Sequence, residues 1–135
     1  MSKSTVPYAL VVDDDAVILM HACDIIEEAG FRFFEAANGD EAIKVMDRHA
    51  DSIVLLFSDV EMPGSMNGFA LAHHVAAAWP HVEIVISSGR VSPSPGDMPL
   101  KATFIGKPFN ADMVHAHLRE ILPEGKKPDP LRTAV

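Results

Sequence analysis

At 135 residues, with 48% apolar and 22% charged side chains, the chain has the size and composition of one folded domain with one real core. A net charge of −8 argues against direct binding to nucleic acid or to an anionic membrane surface. The single cysteine, Cys23, excludes an internal disulfide and fits a reducing compartment. With no apolar window of membrane-spanning length and no signal-peptide core before the first acid, a cytoplasmic protein is expected.

The elements read clearly along the chain. Residues 8–12 form a short apolar run bounded by Pro7 and acids, so a buried strand. Ile18, Ala22, Ile25, Ile26 and Ala29 recur at helical spacing, and Gly30 supplies the stop. A second strand is expected over 31–36. Asn38 then caps a helix, with Glu41 three residues on as in a capping box and Ala42, Val45 and Met46 as its buried stripe. Residues 53–58 form a third strand. Asn67 caps a helix through Leu71, Val75 and Ala78 that must end before Pro80, with Trp79 packing at its end. Strands four and five are expected over 82–87 and 103–105. Asn110 caps a last helix with Val114, Leu118, Ile121 and Leu122 on one face.

Strands alternating with helices predict a parallel sheet covered on both faces. Residues 88–101 break the pattern, because Gly89, Pro93, Pro95, Gly96 and Pro99 leave no room for a regular helix. Residues 123–135 contain Pro123, Gly125, Pro128 and Pro130 and are expected to be a flexible tail. The division is thus an N-terminal extension over 1–6, one domain over 7–122, and the tail. No internal repeat is present.

The strand ends carry the chemistry. The first ends in Asp13, Asp14 and Asp15, the third in Asp59, the fourth in Ser87 and Ser88, and the fifth in Lys107. In a doubly wound sheet these ends share one edge, where ligands bind. Clustered carboxylates repel unless a cation intervenes, and a hard divalent ion such as Mg2+ joins carboxylates to phosphate. A carboxylate can take a phosphoryl group as an acyl phosphate, with a metal ion, the Lys107 ammonium and the Ser87 hydroxyl neutralising its oxygens.

Four motifs in order carry a resemblance: LVVDDD at residues 10–15, LLFSDVEMPG at 55–64, IVISSG at 84–89 and GKPF at 106–109. Together they resemble the receiver domain of the two-component response-regulator family, here of the stand-alone type. The resemblance implies a flavodoxin-like five-stranded sheet of order 2-1-3-4-5. It implies that Asp59 is the phosphoacceptor, with Ser87 as switch hydroxyl, Lys107 as phosphate-pairing cation and Phe104 as switch aromatic. It implies an Mg2+ (or Mn2+) site made by Asp14, Asp59 and the backbone carbonyl of Glu61, with Asp13 acting mostly through water, and a cis peptide at Lys107–Pro108. The implied partners are a histidine kinase or histidine phosphotransfer protein and an unidentified protein that receives the output. No enzymatic turnover beyond self-phosphotransfer and autodephosphorylation is implied.

Two departures from the family pattern stand out. The loop from Asp59 to Gly68 is one residue longer, since both Ser65 and Met66 are present, which should alter the kinase-docking edge. The fourth helix of the family is short or missing, which alters the usual output and dimer face. Competing readings exist. DDDAV at 13–17 also matches the DxDxV signature of haloacid-dehalogenase-type phosphatases, with Asp13 as nucleophile and Asp15 as acid/base, but leaves the segment after Asp59 unexplained. A pseudo-receiver binding partners without phosphate is opposed by the intact acids, Ser87 and Lys107. Asp15 alone reads as a helix cap. None of the seven histidines has the i, i+4 spacing of a helical zinc pair, and Cys23 reads as a buried thiol.

Overall fold

A computed structural model describes residues 6–132. The chain runs β1 (Tyr8–Val12), α1 (Ala16–Glu28), β2 (Arg32–Ala36), α2 (Gly39–His49), β3 (Ile53–Asp59), α3 (Gly68–Ala78), β4 (Glu83–Ser88), β5 (Thr103–Gly106) and α4 (Ala111–Ile121). All strand pairs are parallel, in the order β2-β1-β3-β4-β5. Element ends differ from the sequence expectations by a residue.

Alternation along the strands divides the core in two. Ala9, Val11, Leu55, Phe57, Val85 and Ile105 point to the face covered by α1 and α4, where Ile26, Val114 and Leu118 meet them. Leu10, Val12, Leu56, Ile84 and Ile86 point to the other face, against Met46, Leu71 and Val75 of α2 and α3. The central strands are therefore apolar on both sides, as a parallel sheet between helices demands.

Side-chain caps start each of the four α-helices, each satisfying a backbone donor that the first turn leaves unpaired. Asp15 accepts from Val17 N–H and Ile18 N–H, so its carboxylate is engaged as a cap. Asn38 accepts from Glu41 N–H, while the Glu41 carboxylate reaches back to Ala37 N–H at 2.9 Å. Asn67 and Asn110 cap α3 and α4.

The crossover from β4 to β5 contains no helix. It is held by local turns and by α3: His73 Nε2–H donates to the Asp97 carbonyl at 3.0 Å, and the Asp97 carboxylate accepts from Ser94 N–H at 2.8 Å. The longer loop after β3 docks on the start of α2. Ser65 Oγ–H donates to Asp40 Oδ1 at 3.0 Å, and the Met66 side chain lies where a Cβ on Gly39 would stand, 2.4 Å from its Cγ. Only glycine leaves that space.

The expectation of a flexible tail is corrected for residues 123–132. Two single-turn 3₁₀ helices, Glu124–Lys126 and Asp129–Leu131, fold back along the domain. Leu131 is 1% exposed within the α1/α4 core, and Lys126 pairs with Glu83 at 2.9 Å. Pro128 and Pro130 lie over Gly30, whose φ of +106° and lack of a Cβ make the contact possible. Prolines that exclude a regular helix here instead stiffen a strap, and one buried leucine outweighs the polar composition around it. Residues 133–135, and residues 1–5 of the N-terminal extension, lie outside the described residues. Leu131→Ala should therefore lower unfolding stability by about 2–5 kcal/mol in a denaturant titration. An unchanged midpoint is the result expected of a free tail.

Candidate functional site

The carboxyl ends of β1, β3, β4 and the residue after β5 meet on one edge. Register sets the meeting: Val12 lies opposite Ser58, and Asp59 lies opposite Ser87. Lys107 is anchored there by its own backbone, which donates to the Ser88 carbonyl at 3.0 Å, and the peptide to Pro108 is cis.

Lys107 Nζ donates to Asp13 Oδ2 at 3.0 Å and to Asp59 Oδ1 at 2.9 Å, and all three side chains are mostly buried. Asp13 Oδ1 also accepts from Asp15 N–H at 2.9 Å, which fixes the turn into α1. Asp14 is exposed beside them. Each of Asp13, Asp14 and Asp59 offers an oxygen within 4.8 Å of the others'. Three carboxylates thus face one ammonium. That imbalance, and an all-oxygen donor set, suits a hard divalent cation.

Burial raises the Asp59 carboxyl above its ordinary range, and the neighbouring Asp13 adds to this; the Lys107 hydrogen bond opposes it without cancelling it. Burial pulls the Lys107 ammonium down, but its hydrogen bonds to Asp59 and Asp13 outweigh that, so it stays charged more firmly than a free lysine. Ser87 Oγ is buried and is the one buried side-chain polar atom without a hydrogen-bond partner among the described residues. Leaving a buried hydroxyl unpaired costs about 1–3 kcal/mol, so such an atom calls for an explanation.

A cavity of about 460 Å³ opens over the acids, lined by Asp13, Asp14, Asp15, Ile18, Asp59, Glu61, Gly89, Arg90 and Lys107. Every acid named from the sequence therefore reaches this edge, as do Lys107 and, beside Asp59, Ser87. Phe104 does not reach the acids. It lies opposite Ile86 in the register, half-buried against the α2/α3 core.

Two residues with a hold on the site were not singled out. Gly68 opens α3 so close to Asp59 that a Cβ would stand 2.0 Å from the Asp59 carbonyl oxygen; its N–H donates to the Val60 carbonyl. Its only sequence signal is its place after the Asn67 cap. Ser88, given no role of its own at the end of the fourth strand, hydrogen-bonds the Glu61 carboxylate. The groups set aside stay aside. Burial pushes the Cys23 thiol up to about 12, with Glu35 adding to it. His115 donates to the Ile25 carbonyl, and His117 meets Thr103 Oγ1 at 2.7 Å. Among the described residues no helix is long and apolar enough to cross a membrane.

This fold and edge define a class. The family profile described as response regulator receiver domain matches residues 9–119, and the chain belongs to that family, a receiver domain of two-component systems. It is 32% identical over 116 residues to the chemotaxis protein CheY of Thermotoga maritima, covering 83% of this chain and 94% of that protein. It is 26% identical to the sporulation initiation phosphotransferase F of Bacillus subtilis, over 84% of this chain and 92% of the relative. It matches the sensor kinase CckA of Brucella abortus at 27% identity over 84% of this chain, but spans only 12% of the kinase. Among solved structures it superposes on CheY4 of Vibrio cholerae with a TM-score of 0.76 at 25% identity, covering 87% of this chain and all of that one. For the receiver domain from the hybrid histidine kinase CckA the TM-score is 0.73 at 26% identity, over 86% and 99% of the two chains.

The raised Asp59 carboxyl has a measurable consequence. Ionised Asp59 costs the native state stability once pH exceeds the unfolded value, about 3.9, and the penalty grows as pH rises toward the folded value. In chelator-containing buffer Asp59→Asn should therefore melt higher than wild type at pH 7, and the gap should close as pH falls to about 4. A variant that melts lower at pH 7 would contradict this.

Proposed function

We propose that this receiver domain is a phosphoacceptor. A histidine kinase or histidine phosphotransfer protein presents a phosphohistidine, and an Asp59 carboxylate oxygen attacks its phosphorus. The phosphorus–nitrogen bond breaks, the electron pair returns to the imidazole, which takes up a proton, and Asp59 becomes an acyl phosphate. The observation that carries the reading is the unpartnered, buried Ser87 hydroxyl in register with Asp59: a phosphoryl oxygen is the acceptor it lacks. Lys107 supports it as well. An ammonium has three donors, and two are committed to Asp13 and Asp59, leaving one for an incoming oxygen.

Asp14, Asp59 and the Glu61 backbone carbonyl would hold Mg2+ (or Mn2+), with Asp13 contributing mostly through water. When bound, the ion neutralises charge on the transferring group. The residues themselves do the rest: Asp59 supplies the nucleophile, Lys107 orients it, and Ser87 donates to the transferred group. Ser87 then moves toward Asp59, Phe104 follows, and the changed surface binds or releases a protein partner by population shift. A charge of −8 disfavours a nucleic-acid output, and the lone buried thiol suits a cytoplasmic setting. The phosphatase alternative loses support because the Asp15 carboxylate, its acid/base, is engaged as a helix cap.

Incubation with Mg2+ and acetyl phosphate, followed by peptide mass spectrometry, tests the reading. A phosphoryl adduct on Asp59 that is absent in Asp59→Ala is expected. Turnover of phosphate esters that depends on Asp13 and ignores Asp59 would sink it. Saturating Mg2+ should also stabilise the fold, by about 2.7 kcal/mol at a hundredfold excess over Kd. A melting temperature indifferent to Mg2+ speaks against the metal assignment.

A further inference from the structure

The loop that carries Glu61 has little backbone support. Its ends are pinned: Val60 N–H donates to the Ser87 carbonyl at 3.2 Å, and Gly68 N–H donates to the Val60 carbonyl at 2.8 Å. Between them, among the described residues, no backbone group of residues 61–66 makes a hydrogen bond. A segment with so few internal bonds opens easily unless side chains hold it. Two side chains do so at its far end, and both reach the start of α2. Ser65 Oγ–H donates to Asp40 Oδ1 at 3.0 Å. The Met66 side chain fills the place that a Cβ on Gly39 would take, and with Met62 it packs on the α2/α3 core. The anchor itself is firm. Asn38 accepts from Glu41 N–H and the Glu41 carboxylate accepts from Ala37 N–H, so the first turn of α2 is capped from both sides. The two residues that together lengthen the loop are thus the two that fasten it.

We infer that the Ser65–Asp40 hydrogen bond and the Met66 plug over Gly39 hold the Glu61 backbone carbonyl in place for the divalent ion, so that Gly39, Asp40, Ser65 and Met66 are positioning residues for metal binding. The inference rests on the metal site assigned above to Asp14, Asp59 and Glu61. Asp13 and Asp59 are fixed by Lys107, but the Glu61 carbonyl has only its loop. The Ser88 hydroxyl holds the Glu61 side chain, whose rotatable bonds leave the main chain free to turn. A site populated only part of the time binds more weakly by that fraction, and a site already formed binds at full strength. None of the four positioning residues lines the acid cavity, so their effect on the ion passes through the loop.

Calorimetric titration of the full chain with Mg2+, with no phosphodonor present, reads the effect directly. Ser65→Ala leaves the net charge unchanged and should raise Kd about threefold, the equivalent of one exposed hydrogen bond. Gly39→Ala keeps every polar group, and the φ of Gly39 is not positive, but the new Cβ would stand 2.4 Å from Met66 Cγ and displaces it. Its Kd should rise about tenfold. In an Asp40→Asn background, which keeps an acceptor oxygen, Ser65→Ala should again cost about threefold; in an Asp40→Ala background it should cost nothing further. The metal-free melting temperature of each variant is measured alongside. Variants that melt lower without metal yet bind Mg2+ as wild type does would overturn the inference, since the brace would then serve only the fold. An equal cost of Ser65→Ala in both Asp40 backgrounds would overturn it as well. A wild-type chain that binds no Mg2+ would instead overturn the metal site itself, so the two failures are distinct.

Discussion

The site depends on one ammonium shared by two buried carboxylates. Lys107 stands 3.0 Å from Asp13 and 2.9 Å from Asp59, and neither acid has another cation within bonding distance among the described residues. Removing three charged groups from water is expensive, and attraction repays it only when geometry is good. The fold supplies that geometry. Parallel register brings β1 and β3 to the same edge, and the backbone bond from Lys107 to Ser88 brings in the lysine from beyond β5. Gly68 lets α3 start against the Asp59 carbonyl, where any side chain would force the strand end to shift. With Asp14 beside them, the arrangement still leaves two acids in excess and one buried hydroxyl unpaired. These two unmet demands, for a cation and for an acceptor, are what a divalent ion and a phosphoryl group would satisfy together.

The side of the domain beyond β4 is built differently from the rest. Prolines exclude a helix between β4 and β5, and the segment is instead fastened piece by piece: Ser88 to Arg90 and Val91, Asp97 to Ser94, and His73 to the Asp97 carbonyl. A helix moves as a rigid body, whereas a chain pinned by separate side-chain bonds can release one pin at a time. The first pin, Ser88, adjoins Ser87, which lies opposite Asp59 in the register, so a change at the acceptor and a change in this crossover meet within one dipeptide. The strap over 123–132 lies on another part of the domain, where Leu131 and the prolines over Gly30 serve the core and not the acid edge.

Much of this was legible in the chain. The strands and helix starts follow from apolar runs and from Asp15, Asn38, Asn67 and Asn110, because caps and buried strands are local in sequence. The acids and Lys107 were legible because strand ends of a parallel sheet share an edge, so position alone predicts proximity. What was not legible depended on contacts distant in sequence. Ser88 reads as one more strand-end hydroxyl until Glu61, 27 positions away, is found against it. Gly68 reads as a helix start until the Asp59 carbonyl is found beneath it. Met66 reads as an insertion until Gly39 is seen to receive it. The tail failed for the opposite reason: composition weighed its prolines and charges, while one leucine at the right distance from α1 and α4 decided its place.

The shared ammonium and the unpaired hydroxyl can be tested together with beryllium fluoride, a tetrahedral mimic of an aspartyl phosphate. Amide NMR of the protein titrated with Mg2+ and then with beryllium fluoride reads every residue of the edge at once. The expected result is a one-to-one adduct that shifts Asp59, Ser87, Ser88 and Lys107 only when both components are present, and that is abolished in Asp59→Ala. Saturating additions that leave Ser87 and Lys107 unmoved, or an adduct that forms equally well without Asp59, would contradict it.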